Sequence, residues 1–162
     1  MMHLSDDELR DGLMASLAVP RWVDDVIAFS PFESFEALFS TASDAATPLS
    51  ADEIQQAIAD HPRIGEKPIG EGTAQEFSRA EQAGLRDDDG DLDEALRSGN
   101  EAYEERFGRV FIIRAAGRSK REILSELERR LDLPNSTELE IVGEQLRDIA
   151  LLRIEKLWGR VE

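Results

Sequence analysis

The chain has 162 residues, 41% of them hydrophobic, which is enough for one core and short of two domains of ordinary size. It carries 35 acidic residues against 19 basic ones, a formal net charge of −16, so a basic face able to follow a phosphate backbone is not expected and nucleic acid is excluded as a partner. Cysteine is absent and the only histidines are His3 and His61, which removes disulfides, thiolate catalysis and multi-histidine or zinc–cysteine centres.

The element signals are dense from the start. Ser5 and Glu8 form a capping box ahead of Leu9, Leu13 and Leu17 on one helical face. Pro20 opens a short helix through Trp22, Val23, Val26 and Ile27, and Ser30-Pro31 breaks it, because proline lacks a donor and restricts the residue before it. Ser34 starts a helix with Leu38 inward that ends near Ala46. Ser50 and Glu53 make a second capping box, and Ile54, Ala57, Ile58 and His61 fall on one helical face closed by Pro62.

Residues 63–73 are rich in glycine and contain Pro68, so an irregular loop is expected there. Helix returns over about 74–85. After the acidic turn 86–91, another helix turns Leu92, Leu96, Tyr103 and Phe107 inward, with Gly108 as its left-handed C-terminal residue. Val110 to Ile113 is a short apolar run with no second strand to pair with, so it reads as a buried extended segment closed by Ala115-Ala116-Gly117. Ser119 and Glu122 cap a helix through Leu124, Leu127 and Leu131. Pro134 separates it from a last helix, capped around residues 135–137 and running to about Trp158. The expected fold is all-α, a single-domain helical bundle of seven to nine helices over residues 1–162.

No apolar run approaches the ~20 residues of a membrane span. The N-terminal Ser5, Asp6, Asp7 and Glu8 have the wrong charge for a secretory signal or a transit peptide, and Gly159-Arg160-Val161-Glu162 is no peroxisomal address. A cytoplasmic location without membrane contact is expected. The lysines are Lys67, Lys120 and Lys156, the other bases arginine; a salt-rich cytoplasm and GC-rich codon usage both account for that surface.

Three helical faces carry a polar residue where the period asks for an apolar one. His61 continues the stripe of Ile54 and Ile58. Ser78, Glu81, Gln82 and Leu85 place a hydroxyl, a carboxylate and an amide on one face, with Phe77 and Leu85 a turn to either side of Glu81. Arg153 interrupts the stripe of Val142, Leu146, Ile149 and Leu157. Each has a plain structural reading: a helix-end histidine on the last carbonyls, a surface glutamate beside Arg79 or Arg86, an arginine whose stem packs while its head reaches water. A buried guanidinium needs a carboxylate, from Glu81 or from a ligand, and together the three residues point to a small anionic substrate. If that anion is the only partner of Arg153, leucine in its place completes the stripe without loss of stability. Residues 86–91 do not have the spacing of a calcium loop, residues 65–72 lack the lysine and preceding strand of a phosphate loop, and Arg129-Arg130 reads as helix surface.

His61-Pro62-Arg63-Ile64-Gly65-Glu66 resembles the signature of the OHCU decarboxylase family, where OHCU is 2-oxo-4-hydroxy-4-carboxy-5-ureidoimidazoline, an intermediate of uric acid breakdown. The resemblance continues at Ser78-Arg79-Ala80-Glu81-Gln82-Ala83-Gly84-Leu85, at Asn100 to Phe107, at Phe111-Ile112-Ile113-Arg114-Ala115-Ala116-Gly117, and from Glu144-Gln145 through Leu152-Arg153. Upstream, Val19-Pro20-Arg21-Trp22 and Ser30-Pro31-Phe32 are also similar to the family, with Val19 where a small residue or cysteine is usual.

This resemblance implies an all-helical carboxy-lyase that converts OHCU to (S)-allantoin without a metal or organic cofactor, commonly as a homodimer. It implies that His61 is the catalytic histidine, Glu81 its acidic partner and Arg153 the substrate-holding arginine. It implies substrate hydrogen bonds from Ser78 and Gln82, and further substrate contacts from Pro62, Arg79, Ala80 and the stretch Ile113, Arg114, Ala115. Two other readings remain: an enzyme of the same fold acting on a related ureido-imidazoline, and a non-catalytic acidic helical module that binds a protein.

Overall fold

Hydroxyl side chains open four of the helices. In the computed structural model, which describes residues 2–59, 61, 73–82 and 90–159, the chain forms eight α-helices and, among the described residues, no strand. They are α1 Asp6–Ser16, α2 Pro20–Ile27, α3 Phe35–Ala45, α4 Ala51–Ile58, α5 Thr73–Gln82, α6 Gly90–Phe107, α7 Lys120–Leu131 and α8 Asn135–Trp158. Ser5 accepts from the Glu8 amide and Glu8 reaches back to the Ser5 amide; Ser50 and Glu53 repeat the exchange ahead of α4. Ser34 and Ser119 each accept one amide of the first turn they precede. Each cap satisfies donors that the helix itself leaves open. The helix expected over 74–85 is α5; its expected last residues, 83–85, lie outside the described residues, as do the loop 63–72 and the turn 86–89.

The chain divides into two compact units, residues 1–57 with 143–162 and residues 58–142. In the first, Leu9, Leu13, Leu17, Trp22, Val23, Val26 and Leu38 are all but fully buried. The indole N–H of Trp22 donates to the Ala42 carbonyl at 2.9 Å, so the largest apolar side chain of α2 is also satisfied as a donor. Arg21, one residue earlier and facing the other way, grips both Glu53 oxygens, at 2.5 and 3.0 Å, and donates to Asp25 and to the Ala45 carbonyl. One guanidinium thereby joins α2 to the end of α3 and the first turn of α4. Gly12 on α1 lies where a Cβ would come within 2.4 Å of the Trp158 ring on α8.

In the second unit, α6 and α7 pack through Leu96, Tyr103, Ile123 and Leu127. The chain leaves α6 through Gly108, whose φ of +71° a side chain would strain. It then runs extended to Ala115. Phe111, Ile113 and Ala115 alternate onto the α6–α7 core, as a two-residue period requires. The Tyr103 ring meets Phe111 edge-on at 5.1 Å and Phe107 at 4.7 Å.

Candidate functional site

His61 sits beyond its helix, not on it. α4 ends at Ile58, and the His61 amide donates to the Ile58 carbonyl at 2.9 Å, closing a turn. This corrects the expectation that the stripe of Ile54 and Ile58 continues helically to His61. A residue before proline is driven out of helical geometry by the proline ring, so the helix stops short of it. The His61 side chain is half-buried.

On α5, Phe77 is buried and Glu81, one turn on, is half-buried. Arg79 and Ala80 are exposed on the same helix. Ser78 and Gln82 have their backbone in α5, and their side chains lie outside the described ones; Pro62 lies outside the described residues altogether. Ile113 and Ala115 are buried and Arg114 is half-buried. Because the Ile113 side chain belongs to the α6–α7 core, what it offers a ligand is its main chain.

Arg153 is buried, with 3% exposure, on the stripe of Val142, Leu146 and Ile149. Its Nη1 donates to the carbonyl of Ala15 in the last turn of α1 at 3.0 Å. That carbonyl is among those a helix end leaves open. One arm is therefore engaged within the protein, and the condition under which leucine would replace Arg153 without loss of stability, an anion as its only partner, is not met. His61, Glu81 and the 113–115 stretch belong to the unit of residues 58–142, Arg153 to the other.

A buried ion pair among the described residues is not legible as such in the sequence. Arg130, read there as surface, is fully buried, as is Glu138. The Arg130 Nε contacts both Glu138 oxygens, its Nη1 donates to the Ile112 carbonyl at 2.8 Å, and its guanidinium carbon lies 4.6 Å from the centre of the Phe111 ring. Arg109, also buried, donates to Asn135 at 3.0 Å. Burial pushes the Glu138 carboxyl above the usual carboxylate value, with Arg130 pulling the other way; burial and then Glu138 push the Tyr103 phenol up. Among the described residues, no three His, Cys, Asp or Glu are grouped to hold a metal ion, and no helix is long and apolar enough to cross a membrane.

The fold matches a crystal structure of OHCU decarboxylase in the presence of (S)-allantoin, with a TM-score of 0.76 and 24% identity, covering 92% of this chain and 98% of that one. That likeness defines the class as an all-helical fold shared with a carboxy-lyase. The OHCU decarboxylase family model matches residues 2–155, and the chain belongs to that family. A Haloferax volcanii protein named 2-oxo-4-hydroxy-4-carboxy-5-ureidoimidazoline decarboxylase is 30% identical over 160 residues, covering 94% of this chain and 90% of that protein. A Bacillus sp. (strain TB-90) protein named uric acid degradation bifunctional protein is 28% identical over 134 residues. The match covers 82% of this chain and 26% of the Bacillus protein's length.

Proposed function

We propose that this protein removes the carboxylate of OHCU to give (S)-allantoin, and that it does so as one catalytic domain. The observation that carries this reading is the Haloferax relative, which bears the name of that activity and aligns along nearly its whole length. In OHCU the carboxylate and a hydroxyl share one ring carbon beside an imine. When CO2 leaves, the electron pair of the broken C–C bond passes into the adjacent C=N, so the ring is its own electron sink and no cofactor is required.

The protein then has three tasks: to orient the carboxylate, to manage the proton and to choose the face that receives it. His61 takes the proton work, since an imidazole of ordinary pKa exchanges protons near neutrality. Glu81 orients the imidazole. Arg153 holds a substrate carboxylate or carbonyl through its planar guanidinium. Ser78 and Gln82 supply hydrogen bonds, Pro62, Arg79 and Ala80 flank them, and the main chain from Ile113 through Arg114 to Ala115 lines the substrate. A homodimer in the cytoplasm completes the reading.

The test is direct. Freshly generated OHCU is mixed with the protein and its decay followed by ultraviolet absorbance. Acceleration over spontaneous decay supports the proposal; a rate equal to the protein-free control overturns it.

A further inference from the structure

The unit of residues 58–142 holds a buried ion pair that the proposed chemistry does not use. Arg130 and Glu138 are both 0% exposed at their side chains. A pair so placed is costly to desolvate, and apolar residues of similar size commonly replace such pairs with no loss of stability. Its presence calls for a role other than holding α7 to α8.

The geometry supplies one. Glu138 occupies the Nε edge of the guanidinium with both oxygens, and the Phe111 ring lies over its face. These contacts fix the plane and rotation of the Arg130 head. They leave Nη1 directed at the carbonyl of Ile112, 2.8 Å away. A trans peptide is planar, with its C=O and N–H pointing in opposite directions. Holding the Ile112 carbonyl therefore sets the direction of the Ile113 N–H. The segment has no strand partner to do this, since residues 110–115 form no ladder and no helix. The Ile113 and Phe111 side chains are committed to the core, so only the peptide groups remain to be oriented.

We propose that Arg130, oriented by Glu138, is a positioning residue that fixes the Ile112–Ile113 peptide, so that the Ile113 N–H is presented to substrate in a constant direction. This rests on the assignment of the 113–115 main chain to the substrate site in the proposed function. Neither charge touches substrate: Glu138 orients Arg130, and Arg130 acts through the Ile112 carbonyl it holds.

Two variants test it. Arg130→Met/Glu138→Leu removes the two charges of the pair together, so neither is left facing an empty partner position. Arg130→Lys keeps a cation beside Glu138 but lacks the planar fork that serves a carboxylate and a carbonyl at once. Thermal melts, KM and kcat measured separately on OHCU, and hydrogen–deuterium exchange over residues 111–115 are read on each. The expected result is a folded double variant with KM raised at least fivefold, kcat reduced less than KM is raised, and exchange over 111–115 at least tenfold faster. Arg130→Lys is expected to show the same changes in smaller measure. A variant that melts as a folded protein with unchanged KM and unchanged exchange overturns the proposal and leaves the pair a packing element. If the wild type lacks OHCU activity the proposed function falls, while exchange over 111–115 still decides whether Arg130 anchors the peptide.

Discussion

Arg153 on α8 donates from Nη1 to the carbonyl of Ala15 on α1, a 3.0 Å bond between residues 138 positions apart. It ties a candidate substrate-binding arginine to a helix end, so the side chain carries a structural contact as well as its proposed role. Arg153→Leu is expected to leave the Ala15 carbonyl without that donor, at a cost of about 1–3 kcal/mol. Arg153→Lys reaches the carbonyl with one ammonium but cannot offer a second parallel donor to a carboxylate. The expected outcome is a lowered melting temperature for the leucine variant and a near-normal one for the lysine variant, with kcat/KM down at least tenfold in both. Melts and initial rates on the three proteins check it.

The Arg21–Glu53 pair gives a pH signature. The Arg21 guanidinium holds the Glu53 carboxyl down from 4.5 to about 2. A carboxyl depressed on folding stabilises fully above its unfolded value and loses that contribution as pH falls through the folded one. The window is therefore from about 5 downward to about 2. Because the Arg21 side chain is 41% exposed, screening limits the contribution to about 1 kcal/mol. Glu53→Gln keeps an acceptor for the Ser50 amide. It is expected to melt lower than wild type at pH 7, with the gap closing as pH is lowered from about 5 toward about 3. A gap constant across that range contradicts the assignment.

Gly12 is a close approach between α1 and the end of α8. A methyl there would lie 2.4 and 2.6 Å from two carbons of the Trp158 ring, a rigid and buried side chain. Gly12→Ala removes a helix-interior glycine, which favours the isolated helix, yet the overlap outweighs that gain. A net loss of about 1–3 kcal/mol is expected, read as a fall in the denaturant midpoint. Gly12→Ala/Trp158→Leu is expected to recover most of it.

Local chemistry made much of the fold legible. The capping boxes at Ser5 and Ser50, the cap at Ser119, Pro20 as first helical residue and Gly108 at a positive φ each mark a helix end by a mechanism that acts within four residues. His61 was misplaced because a three- and four-residue period extends on paper past the point where proline stops the helix. Arg130 reads as helix surface because charged side chains on a helix usually face solvent. The period held the signal: Ile123, Leu127 and Arg130 step by four and three, and Glu138 stands one turn before Val142 on the stripe of Leu146 and Ile149. What no spacing shows is that two such charges eight residues apart meet across a helix–turn–helix. That is a tertiary contact, and only the structure supplies it.

In the proposed reaction His61 moves the proton as OHCU loses its carboxylate. The most direct measurement of this step compares wild type with His61→Asn on freshly generated OHCU, following the circular dichroism of the allantoin formed. Removing a general acid or base costs ~10²–10⁴-fold in rate. The account predicts a His61→Asn protein that melts like wild type, loses activity on that scale and leaves allantoin without an excess of the S form. A His61→Asn protein that turns over OHCU within threefold of wild type, with the same optical sign, would contradict it.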